Sequence, residues 1–244
     1  MGIIKNRKIE NKVIGVLWIL FFVTILSVAL IFVLISNGKI GYMPPIEELE
    51  NPKDKFATEI YSADMKVIGN YHQSQGNRVY IEYQDISPNL INALIATEDI
   101  RFYNHSGIDL RALARAVVKG VLGVGTAGGG STITQQLAKQ LYSPSADNKL
   151  ERLFQKPIEW VIALKLERFY TKKEIIKMYF NKFDFLYNAV GIQSAASVYF
   201  STTPNNLKIE EAAMLVGMLK NPALYNPVRR KEKTEGRRNV VLSQ

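Results

Sequence analysis

The chain has 244 residues, with 31 lysines and arginines against 22 aspartates and glutamates, a formal net charge of +9 at pH 7. This length suits one ordinary domain with a full core and some additional segments. Because the sequence contains no cysteine, disulfides are excluded, and an extracytoplasmic domain would depend on packing alone. A net positive charge of this size is typical of proteins that bind nucleic acid, but the distribution of apolar residues along the chain argues against such a partner.

The apolar residues are concentrated in an uncharged segment of 23 residues, 13–35. As a helix this segment would be about 35 Å long, enough to cross a bilayer with some tilt. A cleavable signal peptide is the alternative, but its apolar core would span about 7–15 residues and a small-residue cleavage site would follow it. The sequence therefore favours a retained transmembrane helix at 13–35.

The flanking charges predict the orientation of this helix. Residues 1–12 contain four basic residues, whereas the chain soon after residue 36 becomes acidic. The positive-inside rule places residues 1–12 in the cytoplasm as a short tail and the rest of the chain outside. The anions available there are lipid headgroups and lipid pyrophosphates, so we expect no nucleic-acid partner.

Residues 36–55 contain glycines and prolines between charges, which predicts a linker. Short segments between 56 and 84 are rich in β-branched and aromatic residues and predict a small antiparallel sheet. From Ser87 onward the apolar period is helical, without repeats or a second domain, so we predict one mainly α domain over residues 56–244. The three expected strands are Thr58–Tyr61, Lys66–Tyr71 and Arg78–Tyr83.

The first helix after the predicted sheet ends on two acids. Ser87 can cap this helix, and Pro88 suits its first position. Glu98 and Asp99 then lie at the negative end of the helix dipole, where acidic residues are disfavoured. Solvation is the ordinary explanation for such acids, and a functional site is the alternative. The apolar face of the helix comprises Leu90, Ile91, Leu94 and Ile95.

The next helix is predicted to begin after Asp109, which can cap it, and to carry an apolar face inward. Arg111, Arg115 and Lys119 form a separate basic stripe on this helix. The stripe is either a solvated face or, in a domain close to a membrane, a contact with lipid headgroups. The residues expected to point inward are Leu110, Leu113, Val117, Val118 and Val121.

A glycine-rich loop precedes the third helix, with five glycines among the eight residues 123–130. Thr132 and Gln135 have capping-box spacing at the start of that helix. Such a loop can bind a phosphate through the free N–H groups of the helix, or it can simply be mobile. It is not a Walker A motif, because Ser131 follows the glycines where that motif has lysine. Lys139, one to two turns along the helix, could add a positive charge.

Farther along, Arg152, Lys156 and Glu159 share one helix face, which indicates either a surface ion-pair ladder or a charged binding face. Pro157 is expected to bend this helix or to lie near its start. A capping box at 171–174 opens the helix that follows. Two more helices are predicted around 189–200 and 208–220.

Two of these segments resemble motifs of one enzyme family. The residues that end the first helix match Glu-Asp-x-x-Phe-x-x-His-x-Gly, and those after the glycine-rich loop match Gly-x-Ser-Thr-x-Thr-Gln-Gln. Together they resemble the first two motifs of the peptidoglycan glycosyltransferases, glycosyltransferase family 51, which occur as monofunctional transglycosylases and at the front of class A penicillin-binding proteins. The matching residues are Glu98, Asp99, Phe102, His105, Gly107, Gly129, Ser131, Thr132, Thr134, Gln135 and Gln136.

The third motif of that family, Arg-Lys-x-x-Glu, is matched incompletely. Lys156 and Glu159 fit it, but Gln155 stands where the motif has arginine. Arg152, one turn earlier on the predicted helix, is our candidate for supplying the missing charge.

The fourth and fifth motifs are also recognisable. Residues 171–181 resemble the fourth, ending at Asn181, although Lys177 replaces a glutamate of the motif. Residues 237–242, beginning with Arg237 and Arg238, resemble the fifth.

The resemblance implies a lysozyme-like helical glycosyltransferase domain that polymerises lipid II into β-1,4-linked glycan strands and releases polyprenyl diphosphate. It implies that Glu98 is the base for the attacking 4-hydroxyl and that Glu159 is a second, assisting acid. Substrate contacts are implied for Ser131, Thr132, Gln135, Gln136, Lys139, Arg152 and Lys156. Structural roles are implied for Asp99, Phe102, His105, Gly107, Asn181, Arg237 and Arg238.

The resemblance further implies no tightly bound cofactor, with Mg²⁺ or Mn²⁺ as an optional aid to the leaving group. The expected partners are lipid II, the growing glycan strand, membrane lipids and other cell-wall synthesis proteins. The expected location is the bacterial inner membrane, with a single span and an extracytoplasmic catalytic domain. Because the sequence stops inside the helix that the fifth motif begins, we expect the natural domain to continue past Gln244.

Two other functions are compatible with parts of this pattern. A membrane-anchored, lysozyme-like hydrolase would also need two acids in a helical domain, but it gives no reason for the anchor or for the Gln135-Gln136 pair. A catalytically idle scaffold is favoured only by the departures at Gln155 and Lys177.

Overall fold

The computed structural model describes residues 2–45, 58–65, 67–71, 79–123, 129–143 and 148–244. These residues confirm the expected class, a mainly α domain with a small β element and an N-terminal apolar helix. The elements are α1 (Gly2–Ser36), β1 (Thr58–Tyr61), β2 (Val67–Tyr71), α2 (Pro88–Glu98), α3 (Leu110–Leu122), α4 (Ile133–Tyr142), α5 (Lys149–Phe169), α6 (Lys172–Lys182), α7 (Ile192–Phe200), α8 (Ile209–Leu219) and α9 (Lys231–Leu242).

Helix α1 contains the expected apolar span. Its segment Lys12–Ser36 is, among the residues described, the one helix long and apolar enough to cross a membrane. The C-terminal end of this helix rests on the domain. Phe32 stacks on Trp160 of α5 with ring centroids 6.3 Å apart, and the Lys165 ammonium donates a hydrogen bond to the Ser36 carbonyl at 3.3 Å. The span is therefore attached to the same helix that carries Glu159.

The small sheet has two of its three expected strands. β1 and β2 pair in antiparallel fashion, with Thr58 opposite Tyr71. The prediction of a third strand is wrong for residues 79–83, none of which is in a strand. Arg78, the first residue of that predicted strand, lies outside the described residues. Asn181 explains the difference, because its side-chain amide binds both the N–H and the C=O of Ile81, at 3.0 and 2.9 Å. Those are the groups that a strand would use for pairing.

The predicted helix starts are confirmed. Ser87, Asp109, Thr132 and Thr171 each accept a hydrogen bond from a backbone N–H of the first turn that follows. Of the two alternatives for Pro157, a position near the start of its helix is excluded, because α5 begins at Lys149 and continues through the proline to Phe169. The expected helices around 189–200 and 208–220 correspond to α7 and α8.

The core lies between α2, α4, α5, α6, α7 and α8. Helix α8 packs on α2 and α9, and α4 packs on α5 and α6. The end of α2 contacts α4 through a hydrogen bond between Glu98 and Gln136. Besides Ile35 at the end of α1, the largest fully buried side chains of the protein's described part are Tyr179, Phe102, Phe180, Phe185, Leu90, Leu94, Ile133, Leu137, Ile162 and Leu166.

Helix α3 contradicts one expectation from the sequence. Leu110, Val117 and Val118 were expected to point inward, yet their exposed fractions are 72%, 56% and 55%. The helix turns Ala112 inward instead, and Leu113 is half-buried. The side chain of Val121 lies outside the described part. Periodicity therefore identified an apolar face but not the side of the helix that is buried.

Candidate active site

Asp99 connects the first motif to the second. Its buried carboxylate accepts hydrogen bonds from His105 Nε2 at 3.0 Å and from the backbone N–H of Ile133 at 3.1 Å. Because Ile133 is the first residue of α4, the acid lies at a helix N-terminus, where a negative charge is favoured. This contact holds the start of α4 beside the end of α2, and it places Glu98 next to the side chains of α4.

Gly107 and Thr132 strengthen the same junction. Gly107 has φ +88°, and a Cβ atom there would lie 2.8 Å from the carbonyl oxygen of Ala163 on α5. Only glycine fits this backbone and this close approach without strain. The Thr132 hydroxyl donates to the Gly107 carbonyl at 2.6 Å, and the Gln135 side chain accepts from the Thr132 N–H at 3.2 Å. These contacts lock the loop, α4 and α5 together.

Glu98 lies in this junction with 16% of its side chain exposed. The Gln136 amide donates a hydrogen bond to Glu98 Oε2 at 3.0 Å, and the Tyr179 hydroxyl donates to Gln136 Oε1 at 2.9 Å. Arg237 Nη2, from α9, is 3.5 Å from Glu98 Oε1. The carboxylate is therefore held by a neutral amide and by one cation at longer range.

Glu159 is surrounded differently. It is fully buried, and both terminal nitrogens of the Arg152 guanidinium bind its carboxylate, one in close contact and the other at 3.2 Å. Lys156 Nζ lies 3.1 Å from the same carboxylate, and the Ser143 hydroxyl donates to it at 3.3 Å. Lys156 also donates to Ser131 Oγ at 3.2 Å. The shared helix face predicted for these residues exists, and it lines a site instead of forming a surface ladder.

Lys139 of α4 faces this cluster. Burial lowers the pKa of Lys139 from its ordinary value, and the positive charge of Arg152 lowers it further. Glu159 opposes this effect, and Lys156 adds to it. Arg152 and Lys156 thus lie close enough to destabilise the charge of Lys139, an effect that a bound anion would relieve.

A cavity of about 440 Å³ joins the two glutamates and the cationic cluster. It brings together eight of the residues predicted for the site: Glu98, Glu159, Ser131, Gln135, Gln136, Lys139, Arg152 and Lys156. Five further residues line it that sequence reasoning missed: Gln140, Ser143, Phe183, Leu219 and Lys220. For Ser143, four residues after Lys139 and so near the same helix face, the 3.6-residue period was an available signal. No local signal marks Leu219 or Lys220, which come from the distant end of α8.

Other predicted residues lie outside this lining. Thr132 was expected to bind substrate, but its hydroxyl is engaged in capping α4 and in binding Gly107. Phe102 is fully buried in the core, and Asn181 is buried against Ile81. Arg238 pairs with Glu235 at 3.5 Å along the outer side of α9. These positions suit structural roles, whereas Arg237 reaches Glu98.

The two departures from the family motifs have different settings. Gln155 accepts a hydrogen bond from Arg152 at 3.1 Å, so the guanidinium spans from Gln155 to Glu159 and lines the cavity. Lys177 lies outside the cavity lining and pairs with Glu82 at 3.1 Å. The first departure therefore contacts a residue of the cavity lining, while the second joins α6 to the segment before α2.

The arrangement combines a positioned carboxylate with a group of cations across one cavity. A carboxylate within reach of a hydroxyl can take its proton, and nearby cations can stabilise a leaving anion. This combination suits the transfer of a group from an anionic leaving group to a hydroxyl.

Comparison with known proteins agrees with this chemistry. Residues 64–244 match the family model described as Transglycosylase. The chain is 37% identical over 224 residues to Penicillin-binding protein 1A of Neisseria flavescens, covering 92% of this chain and 27% of the relative. It is 36% identical over 211 residues to Penicillin-binding protein 1A of Haemophilus influenzae (strain ATCC 51907 / DSM 11121 / KW20 / Rd), covering 86% of this chain and 23% of the relative.

A crystal structure of Penicillin-binding protein 1A from Haemophilus influenzae is also similar, at 23% identity and a TM-score of 0.39, covering 78% of this chain and 18% of that one. The chain thus spans about a quarter of the length of these curated relatives. The assignment rests on the sequence matches, which extend over most of the chain and include every residue of the cavity. The chain belongs to the transglycosylase family.

Proposed function

We propose that this domain is a peptidoglycan glycosyltransferase that polymerises lipid II into β-1,4-linked glycan strands and releases polyprenyl diphosphate. The observation that carries the proposal is the cavity in which Glu98 lies beside the cations Lys139, Arg152 and Lys156. A sugar acceptor needs the first feature, and a pyrophosphate leaving group needs the second.

In the proposed step, the 4-hydroxyl oxygen of the acceptor attacks C1 of the donor sugar. The new C1–O bond forms as the bond from C1 to the pyrophosphate oxygen breaks, and the hydroxyl proton passes to Glu98. A positioned base of this kind contributes roughly 10²–10⁴-fold to rate. The leaving pyrophosphate keeps the bonding electron pair as an anion, which Lys139, Arg152 and Lys156 stabilise. Attack opposite the leaving group inverts the configuration at C1.

We assign Glu159 to holding the cations in place, and not to the assisting-acid role that the family resemblance implies. Arg152 donates hydrogen bonds to this buried carboxylate, and Lys156 forms an ion pair with it. The buried position of Glu159 fixes where the two cations point.

The donor set gives no support to a resident metal. Within the described ranges, no group of three or more His, Cys, Asp or Glu side chains comes together, and Glu159 is already bound by two cations. We therefore derive no step through Mg²⁺ or Mn²⁺ and assign charge stabilisation to the three cationic side chains.

A second cavity supports a lipid-linked substrate. It measures about 420 Å³, is mainly apolar, and lies between the end of α1 and α5, with Ile35, Phe154 and Ile158 in its lining. Ser143 lines both this cavity and the catalytic one. We propose that the prenyl chain of the donor begins here while its pyrophosphate lies among the cations. Substrates with shortened prenyl chains should then show a higher KM, measured at equal surface concentration.

The exposed side of α3 supports contact with the membrane surface. Leu110, Val117 and Val118 are exposed next to the basic stripe, as in a helix that lies in a lipid interface. With α1 as a single span, we propose a short cytoplasmic tail at 1–12, a linker at 36–55 and an extracytoplasmic catalytic domain at 56–244 in the bacterial inner membrane. Protease added outside spheroplasts should cleave the domain and leave α1 protected.

Purified protein incubated with lipid-linked disaccharide-peptide tests the function directly, with the products separated on a gel. Polymer formation is expected. Short fragments released from pre-formed glycan would instead identify the hydrolase alternative, and no change in either substrate would identify a scaffold. Binding to other cell-wall synthesis proteins is a separate proposal, which co-purification of the protein from its membrane would test.

A further inference from the structure

We propose that Tyr179 is a positioning residue for the base Glu98 and acts on it through the side-chain amide of Gln136. The inference rests on the proposed function, because it gives Glu98 the role of base. It adds a residue outside the cavity lining to the machinery that prepares the base for reaction.

The three residues form a chain of two direct hydrogen bonds across three helices. The Tyr179 hydroxyl on α6 donates to Gln136 Oε1 at 2.9 Å, and Gln136 Nε2 on α4 donates to Glu98 Oε2 on α2 at 3.0 Å. Tyr179 is fully buried, and its ring packs against Phe180 and Phe183 with centroids 6.0 and 6.2 Å away. The hydroxyl is therefore held in place by the core, and the amide is held between two fixed groups.

The orientation of the Gln136 amide between Tyr179 and Glu98 follows from hydrogen-bond chemistry. A glutamine amide has a donor side and an acceptor side, whereas an ionised carboxylate can only accept. Because Tyr179 offers an O–H to the acceptor side, the donor side faces Glu98. The reversed amide would place its carbonyl oxygen against the carboxylate, an arrangement of two acceptors without a proton between them.

Tyr179 remains a donor at every pH relevant to an assay. Burial raises the pKa of Tyr179 well above its ordinary value, and the negative charge of Glu98 raises it further. The phenol therefore stays protonated. A hydrogen bond donated to a carboxylate stabilises its ionised form, which is the form that a base must have before it accepts a proton.

Other charged groups act on Glu98 from the surrounding helices. Arg237 of α9 is the cation paired with Glu98. Glu98 also lines the cavity, together with charged residues of α4, α5 and the end of α8. Substitution of Tyr179 leaves all of these in place, so any change in the behaviour of Glu98 can be attributed to the hydrogen-bonded chain. These cavity groups are Lys139, Arg152, Lys156, Glu159 and Lys220.

The test is Tyr179→Phe, which removes the hydroxyl and keeps the ring. We expect kcat to fall about three- to tenfold, the size of one lost hydrogen bond, with KM unchanged. The acidic limb of the pH profile of kcat/KM should move to higher pH. Tyr199→Phe is the matched control, because the Tyr199 hydroxyl donates to the Phe185 carbonyl at 2.7 Å, away from the cavity. That control should keep the wild-type profile.

A double mutant separates positioning from a merely structural effect. If Tyr179 acts through Gln136, then Tyr179→Phe should cause no further loss of kcat in a Gln136→Ala background. Equal losses of kcat in both backgrounds, or a wild-type pH profile in Tyr179→Phe, would overturn the proposal. A fall in melting temperature without a change in profile would identify Tyr179 as a core residue only.

A readout without activity keeps this inference separate from the proposed function. The infrared difference between each protein and its Glu98→Gln counterpart isolates the titration of the Glu98 carboxylate. That titration should move to higher pH in Tyr179→Phe and also in Gln136→Ala, which serves if the first variant fails to fold. If the titration of Glu98 does not shift in these variants, the proposed role of the hydrogen bonds is refuted. If it shifts but the wild-type protein has no polymerising activity, only the proposed function is refuted.

Discussion

The two glutamates of the cavity have the same chemical group in different surroundings. Glu98 is held by the neutral amide of Gln136, with Arg237 at 3.5 Å, and part of its side chain is exposed. Glu159 is fully buried and bound by both Arg152 and Lys156. The first carboxylate is oriented while remaining open to a substrate, and the second is already occupied by cations.

This difference shows that two glutamates that both match family motifs can have different roles. A base must exchange a proton with substrate, so it needs access and an orienting partner that leaves a lone pair available. A carboxylate that fixes two cations contributes through them, to the charge of the leaving group. Substitutions on the two sides of the cavity should therefore differ in size and in pH dependence.

The largest effect is expected for Glu98→Gln, which keeps the shape of the side chain and removes the base. Polymerisation, measured as product on a gel, should fall by about 10²–10⁴-fold. The melting temperature should stay close to that of the wild type. Residual activity above about a tenth of wild type would contradict the assignment of Glu98 as the base.

Loss of a cation should have the next largest effect. Arg152→Ala and Lys156→Ala should each lower kcat and kcat/KM together, by roughly tenfold or more, because the lost charge acts as the pyrophosphate leaves. Gln155→Arg should restore the usual cation of the motif and make Arg152 dispensable. If Arg152→Ala is silent in the native background, Lys139 and Lys156 carry the charge alone.

Lys139 provides a pH test on the cationic side. Because burial and the charge of Arg152 lower the pKa of Lys139, it loses its proton at a lower pH than an ordinary lysine does. We expect kcat/KM to decline on the alkaline side as Lys139 becomes neutral. Lys139→Arg, whose guanidinium remains charged, should move this decline to higher pH. An alkaline limb that does not move would show that another group controls it.

The smallest effect is expected for the departure that lies outside the cavity. Lys177→Glu restores the residue of the family motif but removes the pair with Glu82. We expect unchanged polymerisation and a loss of at most about 1 kcal/mol in the free energy of unfolding, because the pair is partly exposed. A large loss of activity, with the melting temperature preserved, would give Lys177 a role at the site.

Local features of the fold could be predicted from the sequence. The caps at Ser87, Thr132 and Thr171 depend on residues within one helical turn, and their spacing identified them. The third strand could not be excluded in this way, because Asn181 lies 100 residues from Ile81, the residue whose backbone it binds. The exposed face of α3 was missed because periodicity identifies an apolar face but not what covers it.

For the site, too, local features could be predicted and contacts between residues distant in sequence could not. The family resemblance implied most of the residues that line the cavity on α4 and α5, but it did not include Gln140 of α4. It did not predict that Gln136 would join Glu98 to Tyr179, residues separated from it by 38 and 43 positions. It also assigned Thr132 to substrate binding, although its hydroxyl is engaged with Gly107. Contacts of this kind depend on how helices pack.

The most direct test of the difference between the two glutamates is the pH profile of kcat/KM for Glu159→Gln, compared with that of the wild type. If Glu98 is the base and Glu159 holds the cations, the variant should be slower at every pH but should keep the acidic limb at its wild-type position. Loss of the acidic limb through removal of this carboxyl group would show that Glu159 itself exchanges a proton, and would contradict the account.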